Sequence, residues 1–318
     1  MARFENVLST SEWSRLRDAV EWSRRRFRPF VEVYEENVKL FCGHRYGTDP
    51  QENRQDHTPV NLLELAHNTY ARHLVAYDPQ VLVNTRYRSL KPFAADLEAR
   101  LNYRVRRMRL ARTLQACVAN ALFGMAVAKV GVNRDSKSVV PERFVEAIPM
   151  HDIVLDMAAD SFETCQFVGH VYRIPYKHAL ELFDRNVVKR IGPTEHAQNE
   201  ERADGVAAMH KGSSSDVREF MDTLEVLELY LPLQNAVVTI PSDLDVRSVL
   251  DSFVWEGPEH GPYRMLSFID VPRNPVPLAP DNFLTELHLA ANKMWNKVIA
   301  QGERSKTSIG YRSGAEGD

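Results

Sequence analysis

The sequence is poor in cysteine and has no long apolar run. Its three cysteines, Cys42, Cys117 and Cys165, lie far apart and form no CxxC pair, which argues against a disulfide scaffold and a structural zinc site. No window reaches the roughly 18 apolar residues that a membrane span needs, and the N-terminus lacks the apolar core of a secretion signal. We therefore expect a soluble intracellular chain with no membrane partner.

The motifs of common enzyme classes are also missing. The sequence has no GxxxxGK[ST] phosphate loop, no GxSxG elbow and no HExxH zinc motif. His67 and His73 are six residues apart, a spacing that does not align two metal ligands on one helical face. Asp152, Asp156 and Asp160 recur every four residues in a strand-and-turn region, where carboxylates usually bind local backbone. We expect no enzyme activity, no cofactor and no metal site.

The basic residues are concentrated in one stretch. The chain has 40 basic and 43 acidic residues and a net charge of −3, whereas residues 86–112 contain nine basic and two acidic residues, a net charge of +7. This stretch could form salt bridges within or between subunits, a solvated face, or contacts to phosphates. The candidate contact residues are Arg100, Arg104, Arg107 and Arg109. The candidate acidic partners are Asp216, Glu219, Asp222, Glu225 and Glu228.

The order of patterns predicts an α+β fold with a helix-rich N-terminal part. A capping box predicts a first helix near residue 9, divided at Pro29, and Thr58 with Pro59 predicts the start of another. Alternation over residues 81–87 predicts a strand, and residues 92–123 predict one long helix that stops at Gly124. Seven short β-rich runs and one helix at 175–186 follow, with an aperiodic loop at 191–216.

The last predicted element is a long helix from Asp281 to about Arg304, after a proline-rich connector. At ~1.5 Å per residue it would be about 36 Å long. Leu284, Leu287, Ala291, Met294 and Val298 form a narrow apolar seam in 3-4 spacing. A second face, roughly 120° away at ~100° per residue, is basic. It consists of Lys293, Lys297 and Arg304. The helix either docks on the body or packs against another helix through its seam.

The connector and this helix resemble the segment of tailed-bacteriophage portal proteins that leads from the wing into the first stem helix. The resemblance rests on WEGPEHGPYRMLSFIDVPRNPVPLAP followed by LTELHLAANKMWNKVIAQGERSK, and it extends upstream to about residue 55 by order and spacing. The matching positions are Gly261, Pro262, Tyr263, Val271, Pro272, Pro277, Pro280, Gln301 and Lys306. No single block is a strict signature.

The resemblance implies three parts and a structural role. It implies a wing-like α+β body at 1–280, a first stem helix at 281–306 and the start of a clip at 307–318, with the rest of a portal expected beyond the last residue. Portal proteins are head-to-tail connectors at the capsid vertex. They form a ring, commonly of twelve, that passes double-stranded DNA during packaging and ejection. The implied partners are the major capsid protein, the terminase motor and tail or adaptor proteins, and the implied location is the virion, after assembly in the host cytoplasm.

If the terminal helix faces the lumen as in that family, its three basic residues would line the DNA channel. Two other interpretations stay open. The chain could be a nucleic-acid-binding enzyme or regulator that uses the basic stretch 86–112, or a non-portal adaptor protein of a virion that binds protein partners without forming a DNA-wide ring.

Overall fold

A computed structural model describes residues 9–42, 61–75, 77–133, 142–194, 222–246 and 248–305. The fold is α+β, as expected. Helices α1 to α7 cover Thr10–Cys42, Leu62–Leu74, Lys91–Arg107, Leu110–Phe123, Tyr176–Leu182, Arg185–Ile191 and Asp281–Arg304. Strands β1 to β8 cover Ala126–Asn133, Glu142–Ile148, Ile153–Leu155, Val168–Pro175, Thr223–Leu231, Ala236–Pro241, Asp251–Val254 and Tyr263–Leu266. Most of the predicted loop at 191–216 and the predicted clip at 307–318 lie outside the described residues, as do Thr58, Pro59, Asp216 and Glu219.

The first helix is continuous through Pro29, so the predicted division there is wrong. Its inward side chains recur in 3-4 spacing on both sides of the proline, and this stripe packs on the core along the whole helix. The stripe consists of Trp13, Leu16, Val20, Ser23, Phe27, Phe30, Tyr34, Asn37 and Phe41. Pro29 lies on the exposed side, and so does Arg25, whose carbonyl loses its helical donor and faces solvent.

The strand predicted at 81–87 is not formed. These residues are extended, but side chains of α3 take the place of a neighbouring strand. The amide of Val81 donates to Asn102 Oδ1 at 2.9 Å, Asn102 Nδ2 donates back to the Val81 carbonyl at 3.0 Å, and the amide of Val83 donates to Glu98 Oε2 at 3.1 Å. An alternating pattern therefore marks an extended segment here without a β-ladder.

The helix predicted over 92–123 is two helices, α3 and α4. The chain turns at Met108 and Arg109, where Arg109 has φ 52°, in the left-handed region. The Asp78 carboxylate accepts the amide of Ala111 at 2.9 Å and so caps the new helix from 33 residues away. Gly124 does end α4 as predicted, and a Cβ there would lie 2.4 Å from the sulfur of Met150.

Two other predicted helices have different boundaries in the structure. The second helix has Asn61 as its N-cap, with Oδ1 accepting the amide of Glu64 at 3.1 Å, so its first residue is Leu62. The single helix predicted at 175–186 is the pair α5 and α6, because Asp184 caps a new helix by accepting the amides of Asn186 and Val187.

The strands form two antiparallel sheets. One sheet has the order β2-β1-β8, and the other is a meander of β3-β4-β5-β6-β7. Helix α1 packs its inward stripe on both sheets, while α5 and α6 cover the β4–β5 region through a separate apolar cluster. Helix α4 packs on β1 and β2.

A buried polar network joins the two sheets. Lys129 on β1 lies 2.8 Å from Glu228 on β5, and Tyr263 on β8 donates its hydroxyl hydrogen to the other oxygen of Glu228 at 3.0 Å. His170 on β4 lies 3.0 Å from the Tyr263 hydroxyl. Because that hydroxyl has already donated its hydrogen, it accepts from Nδ1–H of a neutral His170. The four side chains thus fix one sheet against the other.

The network predicts a pH-dependent stability. Burial, together with the charge of Lys129, lowers the pKa of His170 to about 4. Between about pH 4 and pH 6.5 the native state then binds fewer protons than the unfolded state, so the free energy of unfolding falls as the pH drops through this window. The difference between this pKa of about 4 and the ordinary value of 6.5 corresponds to roughly 3 kcal/mol in the free energy of unfolding.

Denaturant unfolding at pH 7, 5.5 and 4 measures this effect. His170→Gln keeps a donor for Tyr263 but does not titrate, so its loss of stability on acidification should be smaller than that of the wild type. Equal losses in both proteins would show that His170 does not carry the effect.

Candidate functional surfaces

The terminal helix α7 has two unlike halves. Residues 281–292 pack against α1, α2 and α4, whereas every residue from Lys293 to Arg304 is exposed. About half of the helix therefore projects beyond the body. The first three turns of α7 pack on the body. The domain boundary predicted at residue 280 stays a prediction.

The packed face of α7 begins with a buried carboxylate. Asp281 is 0% exposed, and its Oδ2 lies 2.8 Å from Nε2 of His67 on α2. The imidazole of His67 packs against the rings of Phe41 and Phe123, with centroids 4.7 and 4.2 Å away. His67, considered above only as a metal ligand, is a core residue that anchors the helix.

Further polar contacts continue along this face. Asn37 on α1 donates to Asn282 at 3.0 Å and accepts from the Thr285 hydroxyl at 2.9 Å. His288 is buried, and its Nδ1 accepts the amide of Leu62 at 3.3 Å. Burial lowers the pKa of His288, which keeps this nitrogen available as an acceptor. We call this set the polar joint: Asn37, His67, Asp281, Asn282, Thr285 and His288.

The apolar seam predicted on α7 is a different face, and the body does not cover it. Leu287, Met294 and Val298 are 58%, 69% and 59% exposed. Only Leu284 and Ala291 are partly buried. The first half of the helix therefore docks on the body, which was one of the two alternatives, but it does so through polar side chains. The apolar seam remains open for another helix.

The predicted channel residues lie in the projecting half. Lys293, Lys297 and Arg304 are all exposed. Their spacing places them within about 40° of one another, along roughly 16 Å of helix, at ~100° and ~1.5 Å per residue. The projecting half thus presents a cationic stripe and an apolar stripe on separate faces.

Three of the four candidate arginines of the basic stretch share one exposed face of α3. Arg100, Arg104 and Arg107 follow i, i+4, i+7 spacing, and all three are exposed. Arg100 pairs with Asp96 at 2.9 Å on the same helix. Arg109 lies outside this face, because it occupies the left-handed turn between α3 and α4.

Two of the five proposed acidic partners of these arginines are engaged elsewhere. Glu228 is buried and bound to Lys129, so its assignment as a partner is wrong. Glu225 pairs with Arg173 at 3.2 Å.

No protein-family model matches this chain, and a comparison with curated proteins finds no match. In the described part of the chain no helix is long and apolar enough to cross a membrane. The same residues contain no group of three or more histidine, cysteine, aspartate or glutamate side chains that could hold a metal ion. The function is therefore inferred from the chemistry of the surfaces themselves.

The polar joint makes a testable prediction for stability. Asp281→Ala leaves Nε2 of His67 buried without its partner, which should lower the free energy of unfolding by about 2–4 kcal/mol. Glu286→Ala is the matched control, because Glu286 is an exposed acid on the same helix and should change stability by less than ~0.5 kcal/mol. Denaturant unfolding of both variants at pH 7 compares them, and equal effects would contradict the anchoring role.

Proposed function

We propose that the chain is a subunit of a phage portal, which assembles as a ring, commonly of twelve, and passes double-stranded DNA at the capsid vertex. The observation that carries the proposal is the projecting half of α7. A solvated helix gains nothing from an open apolar seam, whereas a helix that assembles beside others uses the seam for packing and leaves its basic face for a second partner.

A ring explains how so few cations could act on DNA. Rotational symmetry repeats each lumenal side chain once per subunit, so Lys293, Lys297 and Arg304 would each form a circle of positive charge. Contacts to phosphates carry no sequence information and suit a duplex that must slide. In this role the chain catalyses nothing, and the terminase motor, the major capsid protein and the tail or adaptor proteins are separate partners in the virion.

The second candidate function is nucleic-acid binding through the basic stretch, as in a regulator or a nucleic-acid-processing enzyme. The exposed arginine face of α3 favours it, because a row of guanidinium groups suits phosphates. This candidate predicts a monomer or dimer whose DNA affinity depends on α3 and not on α7.

Electron microscopy with native mass spectrometry tests the proposal on the protein expressed from its complete reading frame. The expected result is a closed ring with a central hole wide enough for duplex DNA, whose major groove alone is ~12 Å across. A folded monomer or dimer under all conditions would contradict it, and a ring without a DNA-wide hole would favour the adaptor interpretation.

The channel residues are tested by their effect on DNA. Lys293→Gln plus Lys297→Gln removes two cations per subunit, so duplex affinity at low salt should fall by at least about tenfold and its salt dependence should weaken. The control is Arg185→Gln plus Lys189→Gln, an exposed pair with the same spacing on α6. Fluorescence anisotropy measures both. If the two double variants bind DNA equally well, α7 does not contact DNA.

A further inference from the structure

Residues 77–107 form a small unit that stands apart from the core. It consists of the extended segment before residue 88, one 3₁₀ turn and α3, held together by the contacts of Asn102 and Glu98 with the extended backbone. Within the whole unit only Ala94 and Val105 are buried. We call this unit the arm. Its entry is fastened to the body through the Asp78 cap on α4.

The arm exposes an unusual amount of apolar surface for a segment of its size. Phe93 and Tyr103 on α3 are 65% and 66% exposed, although both are large aromatic residues. Four more large apolar side chains of the arm are exposed as well. They are Tyr77, Leu82, Tyr87 and Leu90. A set of this kind on one surface element marks a binding surface, whereas single exposed apolar residues do not.

The aromatic and cationic groups of α3 lie side by side. Phe93 precedes Arg100 by seven residues, so both project from the same side of the helix as Arg104, and Tyr103 flanks them. We define the arm face as Phe93, Arg100, Tyr103, Arg104 and Arg107. Arginine with tyrosine or phenylalanine is the composition of the energetic centres of protein–protein interfaces, where lysine is depleted. The arm has six arginines and one lysine.

The opposite net charges of the arm and of the rest of the chain favour a second copy of this chain as the partner. The arm, residues 77–107, has seven basic and three acidic residues and carries +4, while the whole chain carries −3, so the remainder of every copy carries −7. The arm of one copy is therefore attracted to the body of another copy. We propose that the arm face binds the body of a second copy of this chain, as a head-to-tail contact in which arm and body are different surfaces. This inference rests on the proposed ring and names one of its contacts.

The apolar half of the arm face separates this proposal from DNA binding. A duplex backbone neutralises arginines but gives no apolar cover to the exposed rings of Phe93 and Tyr103. A protein surface covers both. The contact should accordingly depend on the aromatic residues as much as on the arginines, and only partly on salt concentration.

The test uses two variants of the arm face and one control, each made in the protein expressed from its complete reading frame. Arg100→Glu plus Arg104→Glu reverses the charge, and Phe93→Ser plus Tyr103→Ser removes the aromatic half. Arg185→Glu plus Lys189→Glu reverses an exposed pair of the same spacing on α6. Circular dichroism checks folding, native mass spectrometry and sedimentation over a concentration series measure association, and anisotropy measures binding to a labelled duplex.

We expect both arm variants to stay folded and to associate at least about 10- to 30-fold more weakly, while the α6 control associates as the wild type does. Loss of a small oligomer in the arm variants would support the arm contact even if no ring exists. Rings that persist in both arm variants would overturn this inference and leave the portal proposal standing. Loss of DNA affinity with unchanged association would assign the arm to nucleic acid instead, and a wild type that never associates would overturn both proposals.

Discussion

The geometry of the terminal helix depends on one buried carboxylate. Asp281 has no solvent contact, so it requires a partner inside the protein, and His67 supplies that partner from α2. Hydrogen bonds are directional, and the remaining contacts of the polar joint fix the rotation of the helix as well as its position. An apolar contact would allow the helix to slide or turn. The joint thus decides which faces of α7 remain open, and these are the apolar seam and the basic stripe.

The body to which this joint is fastened is held together by the same kind of interaction. Lys129 and Glu228 form a largely buried ion pair between the two sheets, Tyr263 donates to the other carboxylate oxygen, and His170 donates to the Tyr263 hydroxyl. Breaking such a pair is costly because it leaves a buried charge without a partner. The two sheets are thus held together by buried contacts, and α1 and the first half of α7 pack on this body. The surfaces left open for partners lie on the arm and on the projecting half of α7.

The sequence predicted those elements whose signals are local. Helix α7 is predicted correctly because a proline-rich connector precedes Asp281, and the end of α4 because Gly124 follows it. The predictions that were wrong or incomplete depend on contacts with residues that are distant in the sequence. Pro29 was expected to end a helix, but packing on both sides outweighs one lost hydrogen bond. The packed face of α7 was missed because its partner His67 is 214 residues away, and periodicity reports apolar faces only.

We expect the second half of α7 to be bare in a single chain and to become covered on assembly. Residue-resolved hydrogen exchange of separated subunits and of the assembled protein tests it most directly. Amides of residues 281–292 should be protected in both states, whereas those of 293–304 should exchange quickly in the single chain and slowly after assembly. Rapid exchange of 293–304 in the assembled protein, or equal protection of both halves in the single chain, would contradict the claim.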